Sequence, residues 1–225
     1  MNTRIILVLF SIVVFLQAGK AQKPFQREFN VGGSFGANLS SVSFVPNVQE
    51  NQLLTFNGGV TARWITEKHF GIQAELNFAQ HGWDETFDDT QYYYSRKLNT
   101  VELPLLTHIY FGNHRARFIL NLGPQIGYTF SDHIHENVSG VTPLPPPNDN
   151  SYVVAQRALP IKNHFLWGIC GGPGFELRTG IGYFILEGRY FYGLGDIFGN
   201  GKTDAFGKSS PQTITVKLSY LFKVF

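Results

Sequence analysis

Over the last dozen positions of residues 96–111 two kinds of side chain alternate, and few folds accept a strand of that length and pattern. Val101, Leu103, Leu105 and Ile109 fall on one face of an extended chain, and Thr100, Glu102, Pro104, Leu106 and His108 fall on the other. About twelve residues at roughly 3.3 Å each, tilted by about 45°, reach nearly 30 Å, the thickness of a bilayer's hydrocarbon core. The run closes on Tyr110, Phe111 and Gly112, an aromatic pair and a turn residue, which is the composition of an interfacial girdle. A transmembrane barrel strand is the expectation.

Seven other segments repeat the pattern. Phe29, Val31, Phe35 and Ala37 alternate with Asn30, Gly32, Ser34 and Gly36, and Phe56, Val60, Ala62 and Trp64 with Asn57, Gly59, Thr61 and Arg63. Phe70, Ile72, Ala74, Leu76 and Phe78 oppose Gln73, Glu75 and Asn77, while Phe118, Leu120, Leu122, Ile126, Tyr128 and Phe130 oppose Asn121, Gln125 and Thr129. Phe165, Trp167, Ile169 and Phe175 oppose Glu176 and Arg178, and Phe184, Leu186, Tyr190 and Tyr192 oppose Glu187 and Arg189. In the last segment Ile214, Val216, Leu218, Tyr220 and Phe222 oppose Thr213, Thr215, Lys217 and Ser219, with Lys223, Val224 and Phe225 left over. Long connections at 39–55, 82–95, 131–163 and 193–210 alternate with short ones. Bacterial outer-membrane barrels keep short turns in the periplasm and long loops outside, so both chain ends are expected in the periplasm. The fold class expected is all-β, an eight-stranded antiparallel transmembrane β-barrel in the bacterial outer membrane. A soluble barrel or sandwich shares the alternation, but strand length, aromatic strand ends and a charged opposite face favour lipid.

Composition agrees. Only 15% of residues are charged, against about 25% in ordinary globular chains, while 21 are Phe and 24 are Gly. No apolar run reaches the roughly 20 residues of a helical span, which excludes a polytopic helical membrane protein. Residues 5–16 are apolar, preceded by Arg4 and followed by the small residues Gly19 and Ala21, so 1–21 reads as a secretory signal peptide and 22–225 as the barrel domain. No cysteine stands at the cut, which argues against a lipoprotein. Removal of 1–21 takes away Arg4 and Lys20 and leaves 16 basic residues against 16 acidic ones, too balanced for a nucleic-acid-binding face. Cys170, the single cysteine, allows no internal disulfide and reads as a small packed residue.

The run Leu98-Asn99-Thr100-Val101-Glu102-Leu103-Pro104-Leu105-Leu106, followed by Tyr110-Phe111-Gly112 and Asn121-Leu122-Gly123-Pro124, resembles the PorT-like outer-membrane β-barrel proteins of the Bacteroidetes. The resemblance extends over residues 29–222, and Glu102 to Leu106 is its most specific element. It implies an eight-stranded outer-membrane barrel, in a family most of whose members have no assigned activity. The protein that names the family takes part in type IX secretion, so the resemblance also brings an accessory role in a secretion or assembly machine as an alternative. Pro104 removes a ladder hydrogen bond, and a local bulge is expected there.

With the apolar faces toward lipid, the interior receives Arg63, Arg178, Arg189 and Lys217 together with Glu75, Glu102, Glu176 and Glu187. In so narrow a barrel a self-paired charge network is expected in place of an open pore. Glu102 and His108 share this face, roughly 20 Å apart, too far for a pair. At the outer rim His133, His135 and His164, with His81 near in height, are nitrogen donors of the kind that hold zinc or copper, but no tight ligand motif joins them. Ser131, Asp132 and His133 supply the residue types of a hydrolase, yet as sequence neighbours they diverge on a strand. The acidic, aromatic stretch 84–94 reads as a solvated loop, with a partner surface as the alternative. No metal and no cofactor is expected. The expected role is non-enzymatic, structural or protein-interacting. Its partners are outer-membrane lipid, the assembly machinery that reads a C-terminal aromatic strand and, under the alternative, secretion-machine subunits, with no nucleic acid. A rim-located enzyme and a small porin are the remaining alternatives.

Overall fold

The computed structural model describes residues 25–87, 92–137, 156–157, 159–202 and 204–225. The expected signal peptide at 1–21 and the prolines at 143–147 lie outside the described residues, as do Asp88 and Asp89 of the acidic loop. The strands are β1 (Glu28–Val45), β2 (Glu50–Asn51), β3 (Leu53–Glu67), β4 (Phe70–Glu85), β5 (Tyr94–Gly112), β6 (Ala116–Glu136), β7 (Phe165–Arg178), β8 (Tyr183–Gly193) and β9 (Lys208–Lys223). The eight long strands pair antiparallel in the order β4, β3, β1, β9, β8, β7, β6, β5, and β5 pairs back with β4 to close the ring. The two-residue β2 lies beside the outer end of β4. Closure leaves no long strand with a free edge, the condition for a sheet to cross lipid.

The burial pattern is that of a soluble protein turned inside out. Val60, Ile72, Leu76, Leu122, Leu186 and Leu218 are exposed on the outer wall, whereas Asn30, Arg63, Glu75, His108, Glu176 and Lys217 are buried in the lumen. On β1 the inward positions include Gly32 and Gly36. A Cβ at Gly32 would stand 1.9 Å from the Tyr220 carbonyl oxygen, so β1 and β9 approach closely only because that position is bare.

The strands run further outward than the expected boundaries. β1 continues to Val45 in register with β9, with Leu39 opposite Ile214 and Val45 opposite Lys208, so most of the expected 39–55 loop is strand. β4 likewise reaches Glu85, β6 reaches Glu136, and β9 begins at Lys208. The reason is that the alternation inverts above the hydrocarbon zone. There Val42, Phe44, Trp83, Tyr94 and Leu98 point inward and are buried, while Ser41, Ser43, Asp84, Ser95 and Lys97 take the outer positions facing water. A reader of apolar-out periodicity loses the strand where it leaves lipid.

Three local features differ from expectation. Pro104 sits opposite Gln125, and the β4–β5 ladder passes it without a change of register, so no bulge forms there. The irregularity lies instead at Phe130, where Thr100 faces Thr129 but Asn99 faces Ser131. That extra residue turns Asp132 inward and Ser131 and His133 outward. At the C-terminus the overhang joins the sheet, because Val224 N–H donates to the Phe29 carbonyl at 2.8 Å and Phe29 N–H donates to that of Phe225 at 3.0 Å.

Leu122 lies midway along the outward face of β6, between Phe118 and Phe130. Leu122→Arg is expected to cost about 2–4 kcal/mol of folding free energy in bilayers, read from reversible urea titration in lipid vesicles.

Candidate functional site

The lumen carries one continuous chain of polar contacts. Glu75 on β4 accepts from the Arg189 guanidinium at 2.8 and 3.0 Å, from Lys217 Nζ at 2.7 Å, from Gln73 at 2.6 Å and from Asn77 at 3.0 Å. Arg189 reaches Glu187 at 2.9 and 3.1 Å, and Glu187 also accepts from Asn121 at 3.0 Å. Asn121 Oδ1 meets His108 Nδ1 at 2.8 Å, and Arg63 Nη1 meets His108 Nε2 at 3.3 Å before bonding Glu176. Arginine only donates, so Nε2 of His108 accepts and Nδ1 carries the proton. At the periplasmic end Arg178 bonds Glu28 and the Tyr183 hydroxyl, both at 2.5 Å, and stands 3.5 Å from Glu176.

Seven of the eight sequence-predicted interior charges therefore meet through this chain, while Glu102 stands apart. It bonds His81 Nε2 at 2.5 Å, and His81 Nδ1 meets Thr213 Oγ1 at 2.9 Å. His81 is thus a lumen residue and not a member of the outer rim. Acid, imidazole and hydroxyl stand in line here, but His81 and Thr213 are each about 2% exposed, and the adjoining cavity of about 20 Å³ is only large enough for a water molecule. A substrate has no room beside them.

Apolar clusters close the lumen at both ends, the lower one packed among the charges of Arg117, Glu176 and Arg178. Ile65, Tyr110, Ile119, Tyr183, Ile185 and Leu221 pack at the periplasmic end. Arg117, which the sequence did not single out, lies 4.2 Å from the Tyr110 ring centroid. At the outer end Phe44, Trp83, Phe198 and Phe206 form an aromatic core with Ile161 and Ile197, so the flanking loops fold down into the mouth. Arg96 fastens them. Its guanidinium bonds Asp132, donates to the carbonyls of Gln156 at 3.0 Å and Leu159 at 2.9 Å, and lies 5.7 and 5.5 Å from the Trp83 and Phe198 rings. Trp83 Nε1–H donates to Gln156, and Glu85 pairs with Arg157.

The rim histidines are not brought together. His133 accepts or donates to Ser131 at 2.9 Å, His135 stacks on Tyr93 at 4.8 Å, and His164 donates to the Thr129 carbonyl at 2.8 Å, four strand positions below His133. Among the described residues no group of three or more His, Cys, Asp or Glu is arranged to hold a metal. Ser131 and His133 do touch, but Asp132 is turned inward to Arg96, so the three are not a triad. Cys170 is fully buried beside Leu106 and Phe191.

Two outcomes are expected. Glu75→Gln leaves the buried Lys217 without its carboxylate and Arg189 with Glu187 alone, and is expected to lower stability in vesicles by about 3–5 kcal/mol, with loss of heat-modifiable mobility. At the rim, burial pushes the Glu50 carboxyl up to about 8, against a weaker opposing effect of the Val42 N–H, which it accepts at 3.0 Å. The folded rim therefore holds more protons than the open one between the ordinary value of 4.5 and about 8, and local stability falls as pH rises through that window. Amide exchange at Asn51 is expected to quicken from pH 5 to pH 8 beyond the intrinsic rate, and Glu50→Gln to remove the excess.

The model of the outer membrane protein beta-barrel domain matches residues 17–199. No curated protein sequence matches the chain. Among solved structures, OprG from Pseudomonas aeruginosa is 15% identical, with 87% of this chain and 95% of that one covered at a TM-score of 0.46. Ail, the attachment invasion locus protein of Yersinia pestis, is 12% identical, with 87% and 99% covered at 0.42. Neisserial surface protein A is 11% identical, with 88% and 100% covered at 0.43. With the family model spanning most of its length and eight strands closed into a ring, the chain belongs to the outer membrane protein beta-barrel domain family and resides in the bacterial outer membrane.

Proposed function

We propose that this barrel is a non-enzymatic structural or interaction protein that works through its outer surfaces. One observation carries the proposal: the lumen is filled from the periplasmic plug through the ion-paired middle to the Arg96-fastened outer plug. A filled lumen favours a surface role over a porin, and the enclosed His81 and Glu102 favour it over catalysis. The surfaces offered are the lipid-facing wall, the short turns and the strand ends that stand above the membrane. Outer-membrane lipid is then a permanent partner, and the assembly machinery a transient one during insertion.

The Glu102 to Leu106 element and its PorT-like resemblance favour a second role, as an accessory subunit of an outer-membrane secretion or assembly machine. A tagged copy purified from native membranes in mild detergent separates the two. Recovery as a lone heat-modifiable barrel is expected for a free-standing protein, and stoichiometric secretion subunits would establish the machine role. In planar bilayers the purified protein is expected to give no sizeable, stable conductance steps, and such steps would refute the surface-only role.

A further inference from the structure

On the wall made by β4, β5 and β6, the outward side chains change chemistry in a fixed order with height. We propose that this wall holds one phosphorylated glycolipid of the outer leaflet, with acyl chains, phosphate and core sugars each against a matching tier. The proposal rests on the surface-borne role above and names its ligand.

The lowest tier is aromatic. Phe78, Tyr128 and Phe130 are exposed on the wall, with the Phe78 and Phe130 rings 6.0 Å apart. Above them Gln80, Asn99 and Ser131 stand side by side in register, and Gln80 donates to Asn99 at 3.0 Å. This amide tier marks the end of the hydrocarbon. One step higher Lys97 lies beside His133, both exposed, and among the described residues no carboxylate pairs with either. A cation just above an aromatic girdle lies at the level of lipid phosphate.

The top tier is a cleft of about 420 Å³, in the size range of small-ligand sites. Asp84, Ser95 and His135 form one row across the three strands, and the Tyr93 ring stacks on His135 at 4.8 Å. A stacked ring pair offers an apolar platform to the C–H face of a pyranose, and a carboxylate beside it accepts from neighbouring hydroxyls. Asp84 also fixes the direction of the ligand, since it repels phosphate at its own height and so keeps it one tier down at Lys97. On the far side of the barrel Lys208 is laid over Tyr192, 5.6 Å from its ring centroid and 3.3 Å from its hydroxyl, and presents no comparable free cation.

The test uses the full-length protein folded in detergent, with native mass spectrometry counting retained lipid and heat-modifiable mobility confirming that each variant folds. The probes are phosphorylated lipid A, the same lipid dephosphorylated, a lipid A carrying core sugars, free core oligosaccharide and phosphatidylglycerol. Phosphorylated lipid A is expected to outcompete phosphatidylglycerol and its dephosphorylated form, and Lys97→Ser with His133→Ser to weaken it roughly tenfold. Tyr93→Ser with Asp84→Asn is expected to spare lipid A and to remove the advantage of the core-bearing form. Retention no better than that of phosphatidylglycerol, or unchanged by the Lys97 and His133 substitutions, overturns the proposal. Free oligosaccharide binding as tightly as the glycolipid also overturns it, because the cleft would then be a sugar site independent of the lipid.

Discussion

A charge inside a membrane-spanning barrel has neither lipid nor bulk water to turn to, and the architecture follows from satisfying such charges internally. Glu75 is the strictest case. It is almost wholly buried, and cations from β8 and β9 together with amides from its own strand surround it. Around it every long strand contributes a polar group, from Glu28 on β1 and Arg63 on β3 to Glu176 on β7. The inward glycines of β1 let its backbone lie close against β9, the strand that carries Lys217. The apolar plugs keep water from competing for the same groups at either end.

The lipid-facing half of the fold was legible because a bilayer imposes one chemistry on alternate residues over a fixed length. Val216, Leu218, Tyr220 and Phe222 announce their strand without help from any other segment. The extensions above the membrane were not legible, since Ser41, Val42, Ser43 and Phe44 keep a period of two but reverse its sense. Read by apolar-out logic that stretch is loop, although in the structure it pairs residue for residue with β9.

In the interior, sequence revealed which residues face inward but not which of them meet. Glu102 and His108 share a strand face, yet they pair apart, Glu102 with His81 on the adjacent β4, and His108 with Asn121 on the adjacent β6 and with Arg63 on β3. Those meetings depend on strand stagger, which no single segment encodes. The same limit applied at the rim, where the extra residue at Phe130 decides that Asp132 faces Arg96 while His133 faces outward. Nothing in the local pattern around 130 marks that slip.

The polar chain also bears on how the barrel forms. Glu75 meets Arg189 across 114 residues of sequence and Lys217 across 142, and Arg63 meets Glu176 across 113. None of these contacts exists in a half-built sheet, so a partly inserted chain would carry bare charges into hydrocarbon. The favourable route is one in which strands enter the membrane only as the ring closes. The interior charges thus act as a check on completeness: they penalise every open intermediate and favour the closed barrel alone.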